Sequence, residues 1–332
     1  MRDMKKSLLL LILFCVFFTA LPLQANWEPS QRCLKTEKNG SLSTNGAVAF
    51  IGDLQRTDYW ESTFLGKECN SAETEILLKQ IAKEKPSELF ILGDLVFLGG
   101  SKKNWEDFDM IMAPIYKNNI KVFPVVGNHE YYGFFNGLTF LQQRFPEIKN
   151  STWYYKIIDG VLYVVLNSNE SQMKKEQWKD QKKWFKNILQ KYDNDKTVKA
   201  VIVMMHHPPV SKSKLKGDKK KANEDLLPVF LKSKKTVAML SGHVHTYERI
   251  MLKTEYNNKY FIVAGGGGGS RVSLNKISQE PQDLYKAKFP RPFHFILMKK
   301  ERNNLHFTVK GIEKGQKRFF ILEEFDIPLP NN

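Results

Sequence analysis

Asp53, Asp94, Asn128, His206, His243 and His245 stand just behind five apolar runs. They occur in the segments Gly52-Asp53, Gly93-Asp94, Gly127-Asn128-His129-Glu130, His206-His207 and Gly242-His243-Val244-His245. Their side chains offer carboxylate, amide and imidazole donors and no thiolate, a mixture that suits Mn, Fe or Zn. Singly, each segment has a plainer explanation, since Gly-Asp after a strand is commonly a turn or a helix N-cap and a lone His-x-His is commonly surface. Five of them, each closing an apolar run, point to one metal centre.

The apolar runs must position these donors. Val48 to Ile51, Leu89 to Leu92 and Val122 to Val126 read as buried strands. In open α/β sheets the ligand sits beyond the carboxyl ends of the strands, where glycine allows a tight turn and close backbone approach. Helices are expected at Ala72 to Lys85, Trp105 to Asn118, Glu176 to Lys191 and Glu224 to Lys232. The alternation with strands implies an α/β fold. Tyr154 to Ile158 and Val161 to Asn167, joined at Asp159-Gly160, read as a hairpin. Strands at Arg249 to Leu252, Lys259 to Ala264, Phe293 to Lys299 and Leu305 to Val309 suggest a second sheet. With 332 residues, 42% of them hydrophobic, and no linker or repeat, residues 26–332 are expected to form one domain.

In order and type these motifs resemble those of the calcineurin-like metallophosphoesterase superfamily, which run Asp-x-His, Gly-Asp, Gly-Asn-His-Asp/Glu, His and Gly-His-x-His, and the resemblance covers Ala47 to Gly269. Met205-His206-His207-Pro208-Pro209 and the run from Gly242 to Arg249 resemble most the purple acid phosphatase-like bacterial branch. The resemblance implies a four-layer α/β/β/α sandwich of two mixed sheets flanked by helices. It also implies two divalent ions, Mn, Fe or Zn. Asp94 would bridge them, with Asp53, Gln55 and His245 on the first and Asn128, His206 and His243 on the second. Gln55 stands where the superfamily usually has His, so an amide oxygen or a water would replace an imidazole. Purple acid phosphatases place a metal-binding Tyr shortly after the second-motif Asp, whereas this chain reads Asp94-Leu95-Val96-Phe97, so no Fe(III) chromophore is expected. Phe97-Leu98 replace the Asp-Arg of phosphoprotein phosphatases, which argues against that class.

Charge supports phosphoester chemistry independently. Two divalent ions would outweigh Asp53 and Asp94, and a phosphate dianion would complete the neutralisation. A metal-activated hydroxide is the expected nucleophile, leaving Ser211 and Ser241 as loop residues. The resemblance makes His129 either the general acid or a group that orients the cluster. Asn128, His129 and His207 are the expected contacts to substrate. His206 and His207 should point to opposite sides if the segment is extended, and Glu130 should be structural. The implied activity is phosphomonoester hydrolysis of a small molecule. The alternatives are a phosphodiesterase acting on nucleotides or phospholipid head groups, or a non-catalytic binding protein on the same fold.

Lys5-Lys6, the apolar stretch Leu8 to Phe18 and Ala25 before Asn26 read as a signal peptide over residues 1–25, hence a periplasmic or secreted protein. An uncleaved anchor is the alternative, although the stretch falls short of the ~20 residues that span a bilayer. Export would let Cys33 and Cys69 form a disulfide around the first motif. Two separate thiols are the other outcome.

The net charge of +16 and the run Lys212 to Lys221 invite a nucleic-acid reading. The lysines are spread along the chain, no base-stacking pattern accompanies them and Lys outnumbers Arg, so no specific nucleic-acid binding is expected. The run could instead steer anionic substrate. Gly265 to Gly269 read as backbone flanking the site, with Arg271 as either a phosphate contact or a surface group. Tyr131, Tyr132, Phe134 and Phe135 are candidates for a substrate lip or for core packing.

Overall fold

Val48 and Phe50 face one hydrophobic core while Ala49 and Ile51 face another, so this short strand is buried on both sides. Such a strand needs a covering layer on each face. The computed structural model describes residues 46–330 apart from 58, 65, 134–136, 214–218, 273–282 and 288. The proposed signal peptide, Cys33, Phe134, Phe135 and Lys214 to Asp218 lie outside the described residues.

The chain runs through β1 (Val48–Ile51), α1 (Tyr59–Phe64), α2 (Ser71–Glu84), β2 (Glu88–Ile91), α3 (Lys102–Lys117) and β3 (Lys121–Pro124). It continues through α4 (Gly137–Arg144), β4 (Tyr154–Ile158), β5 (Val161–Val165), α5 (Lys175–Asp193), β6 (Ala200–Met204), α6 (Leu227–Lys232) and β7 (Thr236–Ser241). Five strands follow: β8 (Tyr247–Lys253), β9 (Asn258–Ala264), β10 (Phe293–Lys300), β11 (Asn304–Ile312) and β12 (Phe320–Pro328). They form two six-stranded mixed sheets, ordered β12-β11-β10-β1-β2-β3 and β4-β5-β6-β7-β9-β8. The later strands therefore do not make a sheet of their own. β8 and β9 extend the hairpin sheet, while β10 pairs antiparallel with β1.

Three cores give four layers. Leu77, Leu78 and Ile81 of α2 and Trp105, Phe108, Met112 and Ile115 of α3 cover one sheet. The α3 residues recur at helical spacing, and the Ser101 side chain caps the helix by accepting from the Asn104 N–H. Trp178, Phe185 and Leu189 of α5, with Phe230 of α6, cover the other sheet. Between the sheets, Phe50 and Phe90 stack at 5.7 Å and Phe90 stacks on Tyr163 at 5.2 Å. The Asp159-Gly160 hairpin forms as expected, with both residues at positive φ (47° and 69°).

Candidate metal centre

β1, β2 and β3 are parallel in one sheet, and β6 and β7 are parallel in the other. Each is followed by one donor-bearing turn. Asp53, Asp94, His243 and His245 have φ of 62°, 53°, 70° and 41°, the left-handed region that non-glycine residues seldom occupy. Cross-links tie the turns together. Asp53 N donates to Gly93 O at 3.0 Å and Gln55 N to Asp94 O at 3.1 Å. The backbone N–H of His243 reaches both oxygens of Asp53, at 2.8 and 2.9 Å. A side chain on Gly93 would run into the His206 ring.

The donors meet at Asp94 and His206. His206 Nε2 lies 3.1 Å from Asp94 Oδ2 and 3.1 Å from Asn128 Oδ1. His245 Nε2 lies 3.5 Å from Asp53 Oδ1 and 3.1 Å from the Gln55 amide nitrogen, which is also 3.4 Å from Asp94 Oδ2. The His243 ring is 5.1 Å from that of His206. All seven expected ligands thus share one cluster. Donor atoms of Asp53, Asp94 and His206 fall within 4.8 Å of one another, as do those of His206, His207 and His243.

Backbone carbonyls set the histidine protons. Nδ1 of His206 is 2.9 Å from Leu92 O, Nδ1 of His245 is 2.8 Å from Ser270 O, and Nδ1 of His129 is 2.7 Å from Phe97 O. A carbonyl only accepts, so each Nδ1 carries a proton and each Nε2 is the nitrogen turned inward. His129 Nε2 comes within 3.9 Å of Asp94 Oδ2, while the His129 N–H donates to Asp94 Oδ1 at 3.0 Å.

The electrostatics are those of a site built around cations. Burial alone would raise the Asp94 pKa, yet His206 and His129 bring it below the usual carboxylate range. Burial, with the nearby charges of Asp94 and Glu130, pushes Asp53 well up. His206 is opposed by burial but lifted to about 9 by Asp94 and Asp53. Burial and the neighbouring His206 push His243 down to about 2, and burial also lowers His245. Without metal, a proton on His206 is the cation that the converging oxygens collect.

Glu130 is structural, as expected. Its carboxylate accepts four backbone N–H groups: Gly127 at 2.7 Å, Leu95 at 2.8 Å, Asp94 at 2.9 Å and Val96 at 3.4 Å. Its pKa is pushed up to about 7, by burial first and then by Asp94. His207 departs from expectation. The chain bends after β6, so both imidazoles approach His243, the His207 ring at 4.4 Å. Ser168, which nothing in the sequence singled out, places its hydroxyl 2.9 Å from His207 Nδ1. Ser211 donates to the buried Glu248 at 3.0 Å, which also accepts the Lys212 N–H at 2.8 Å and so anchors the root of the basic run. Arg271 is engaged by Glu68 at 2.8 Å rather than aimed at the cluster. Cys69 is exposed and unbridged among the described residues. A cavity of about 370 Å³ is lined by Leu54, Arg56, Leu95, Val96, Phe97, Lys103 and Phe108 and by none of the seven expected ligands.

The sequence profile of the calcineurin-like phosphoesterase family matches residues 46–247. Purple acid phosphatase 22 of Arabidopsis thaliana is 24% identical over 253 residues, covering 72% of this chain and 54% of the relative. The chain spans about half the length of the curated relatives it matches. Among solved structures, the purple acid phosphatase PPD1 from yellow lupin (Lupinus luteus) seeds superposes with a TM-score of 0.64 at 19% identity, over 85% of this chain and 53% of that one. GAP50, the anchor in the inner membrane complex of Plasmodium, has the same TM-score of 0.64 at 15% identity, over 86% and 89%. At these identities the superpositions establish the shared fold.

Proposed function

The chain belongs to the calcineurin-like phosphoesterase family, and from that premise we propose that it is an exported phosphoester hydrolase that uses two divalent ions and prefers small phosphomonoesters. The observation that carries this reading is the approach of Asp94 Oδ2 and Asn128 Oδ1 to the same His206 nitrogen, each at 3.1 Å. Two oxygen acceptors converge on that nitrogen, an arrangement that a cation holds together, whether a proton on His206 or a metal ion. Gln55 Oε1 fits as well, being buried without a hydrogen-bond partner among the described residues.

Asp53, Gln55, Asp94 and His245 would hold one ion, and Asp94, Asn128, His206 and His243 the other. When bound, such ions neutralise phosphate charge and lower the pKa of water to supply the nucleophile. Asn128, His129 and His207 would contact the phosphate. The Phe97 carbonyl fixes the His129 ring so that its Nε2 faces the cluster and can pass a proton to the leaving oxygen. Mn, Fe and Zn all suit this oxygen and nitrogen donor set.

Phosphodiester hydrolysis is the second reading. What supports it is that Leu54 and Leu95, next in the chain to Asp53 and Asp94, line the 370 Å³ cavity, which would give a second ester arm room. A binding role on the same fold would leave the converging donors without a purpose. For export, the support is Lys5-Lys6, the apolar stretch Leu8 to Phe18 and Ala25. Among the described residues, no helix is long and apolar enough to cross a membrane.

The deciding experiment compares initial rates on matched chromogenic mono- and diesters after reconstitution with Mn(II), Zn(II) or Fe(II), with Asp94→Asn as control. Monoester preference lost in the variant supports the reading. Diester preference promotes the second, and full activity in Asp94→Asn sinks the bridging role. Dialysed protein retaining no metal would favour the binding role. An extracytoplasmic form whose mass begins at Asn26 would support export, and retention of residues 1–25 would contradict it.

A further inference from the structure

We infer that Tyr132 is the positioning residue for the Asn128 amide, its hydroxyl anchoring the amide nitrogen so that Oδ1 stays at the ion. This rests on the metal-centre reading above. Asn128 can coordinate only through Oδ1, and an amide turned by 180° would present its NH2 group instead, which repels a cation. Asn128 Nδ2 donates to the Tyr132 hydroxyl at 3.0 Å, and that bond leaves Oδ1 pointing at His206 Nε2.

Tyr132 is itself held in place. Its backbone N–H donates to His129 O at 3.1 Å and its carbonyl accepts from Gly100 N at 2.8 Å. Its ring lies 4.7 Å from the His129 ring, which contacts Phe97 at 5.4 Å on the way into the cluster. One side chain therefore touches both the amide ligand and the His129 imidazole.

The orienting contacts of His206, His245 and His129 all come from main-chain carbonyls of Leu92, Ser270 and Phe97. No substitution removes those without moving backbone. The Tyr132 hydroxyl is different, because Phe deletes it and keeps the ring. Tyr132 is 43% exposed, so losing a hydroxyl there leaves no buried polar gap. Partners that orient a metal ligand typically govern metal affinity by about ten- to a hundredfold.

The test is calorimetric titration of metal-stripped full-length protein with Mn(II), comparing wild type, Tyr132→Phe, Asn128→Asp and the double variant, with melting temperatures of the stripped forms. Asp has no Nδ2, so the contact that Tyr132→Phe removes is already absent in that background. The expected result is an affinity for the Asn128 ion lowered about tenfold or more in Tyr132→Phe, with the other ion and the melting temperature unchanged. In the Asn128→Asp background the same change should have no effect. Equal affinity in wild type and Tyr132→Phe overturns the inference, as does an equal loss in both backgrounds. A wild-type protein that takes up no Mn(II) overturns the metal-centre reading itself, and the wild-type isotherm reports that separately.

Discussion

Glu130 Oε2 lies 2.9 Å from the backbone N–H of Asp94, so a carboxylate that touches no expected ligand atom fixes the turn on which the bridging candidate sits. The same oxygen accepts Gly127 N at 2.7 Å. The turns after β2 and β3 are thereby stapled through one buried charge.

Glu130→Gln would put an NH2 group against backbone donors that the carboxylate satisfies. Each hydrogen bond to a charged group contributes about 1.5–3 kcal/mol, and the amide forfeits at least one. Urea unfolding of the metal-free variant should show a loss of about 2–3 kcal/mol, with weaker metal retention. An unchanged midpoint would remove Glu130 from the stabilising framework.

Gln55→His should tighten the first ion, since imidazole is the stronger donor for Mn, Fe or Zn. The substituted side chain inherits a position 3.1 Å from His245 Nε2. Competition with a chromogenic chelator measures the gain. If affinity stays the same, residue 55 is not in contact with metal.

His129→Asn should slow hydrolysis of alkyl phosphates by about 10²–10⁴, the usual worth of a positioned acid. Nitrophenyl phosphate, whose leaving group departs without a proton, should lose much less. Equal losses on both substrates would assign His129 to orienting the cluster through its 3.0 Å N–H contact with Asp94.

His294 should make the fold sensitive to mild acid. It is buried, with Nδ1 3.0 Å from Pro292 O and Nε2 unpartnered among the described residues. Burial pushes its pKa down to about 4. Unfolded, it takes up a proton below pH ~6.5. The neutral ring therefore contributes full stability above about pH 6.5, and that contribution falls as pH drops towards about 4, by roughly 3 kcal/mol in all. Urea midpoints of wild type and His294→Gln across pH 8 to 4 should converge as the pH falls. Parallel curves would show that His294 does not titrate in this window.

Much of this architecture could be read directly from the chain. The apolar runs ending at Gly52, Gly93, Gly127, His206 and Gly242 are strands whose turns meet, because period and punctuation are local properties. The sharing of strands between sheets was not local. β10 joins β1 across more than half the chain, and no pattern within Phe293 to Lys300 says which partner it takes. β12 has no alternating signature because Glu323, Glu324 and Asp326 interrupt it at a sheet edge, where charged residues are tolerated. α4 opens with Gly137, which disguised its start. The region around Glu224 reads as one helix but passes through a π turn, Ala222–Leu226, before α6. Within the cluster, donor types were legible, whereas the orienting carbonyls of Leu92, Phe97 and Ser270 have no residue-type signature at all. The bend that brings His207 beside His243 was equally silent.

The left-handed backbone of Asp53, Asp94, His243 and His245 sets two demands against each other. Each residue holds a conformation that glycine adopts freely and that raises the energy of an L residue by about 1 kcal/mol or more, least for Asp. Selecting random variants of this chain for heat resistance alone, with metal withheld, would draw His243 and His245 towards glycine, whereas Asp53 and Asp94 also hold the backbone N–H groups of His243 and His129. The survivors would be sturdier proteins with the same two sheets and a rim that lacks both imidazoles. Demand for the chemistry is what keeps the two imidazoles in place, so at those two positions loss of function is the downhill direction for this fold.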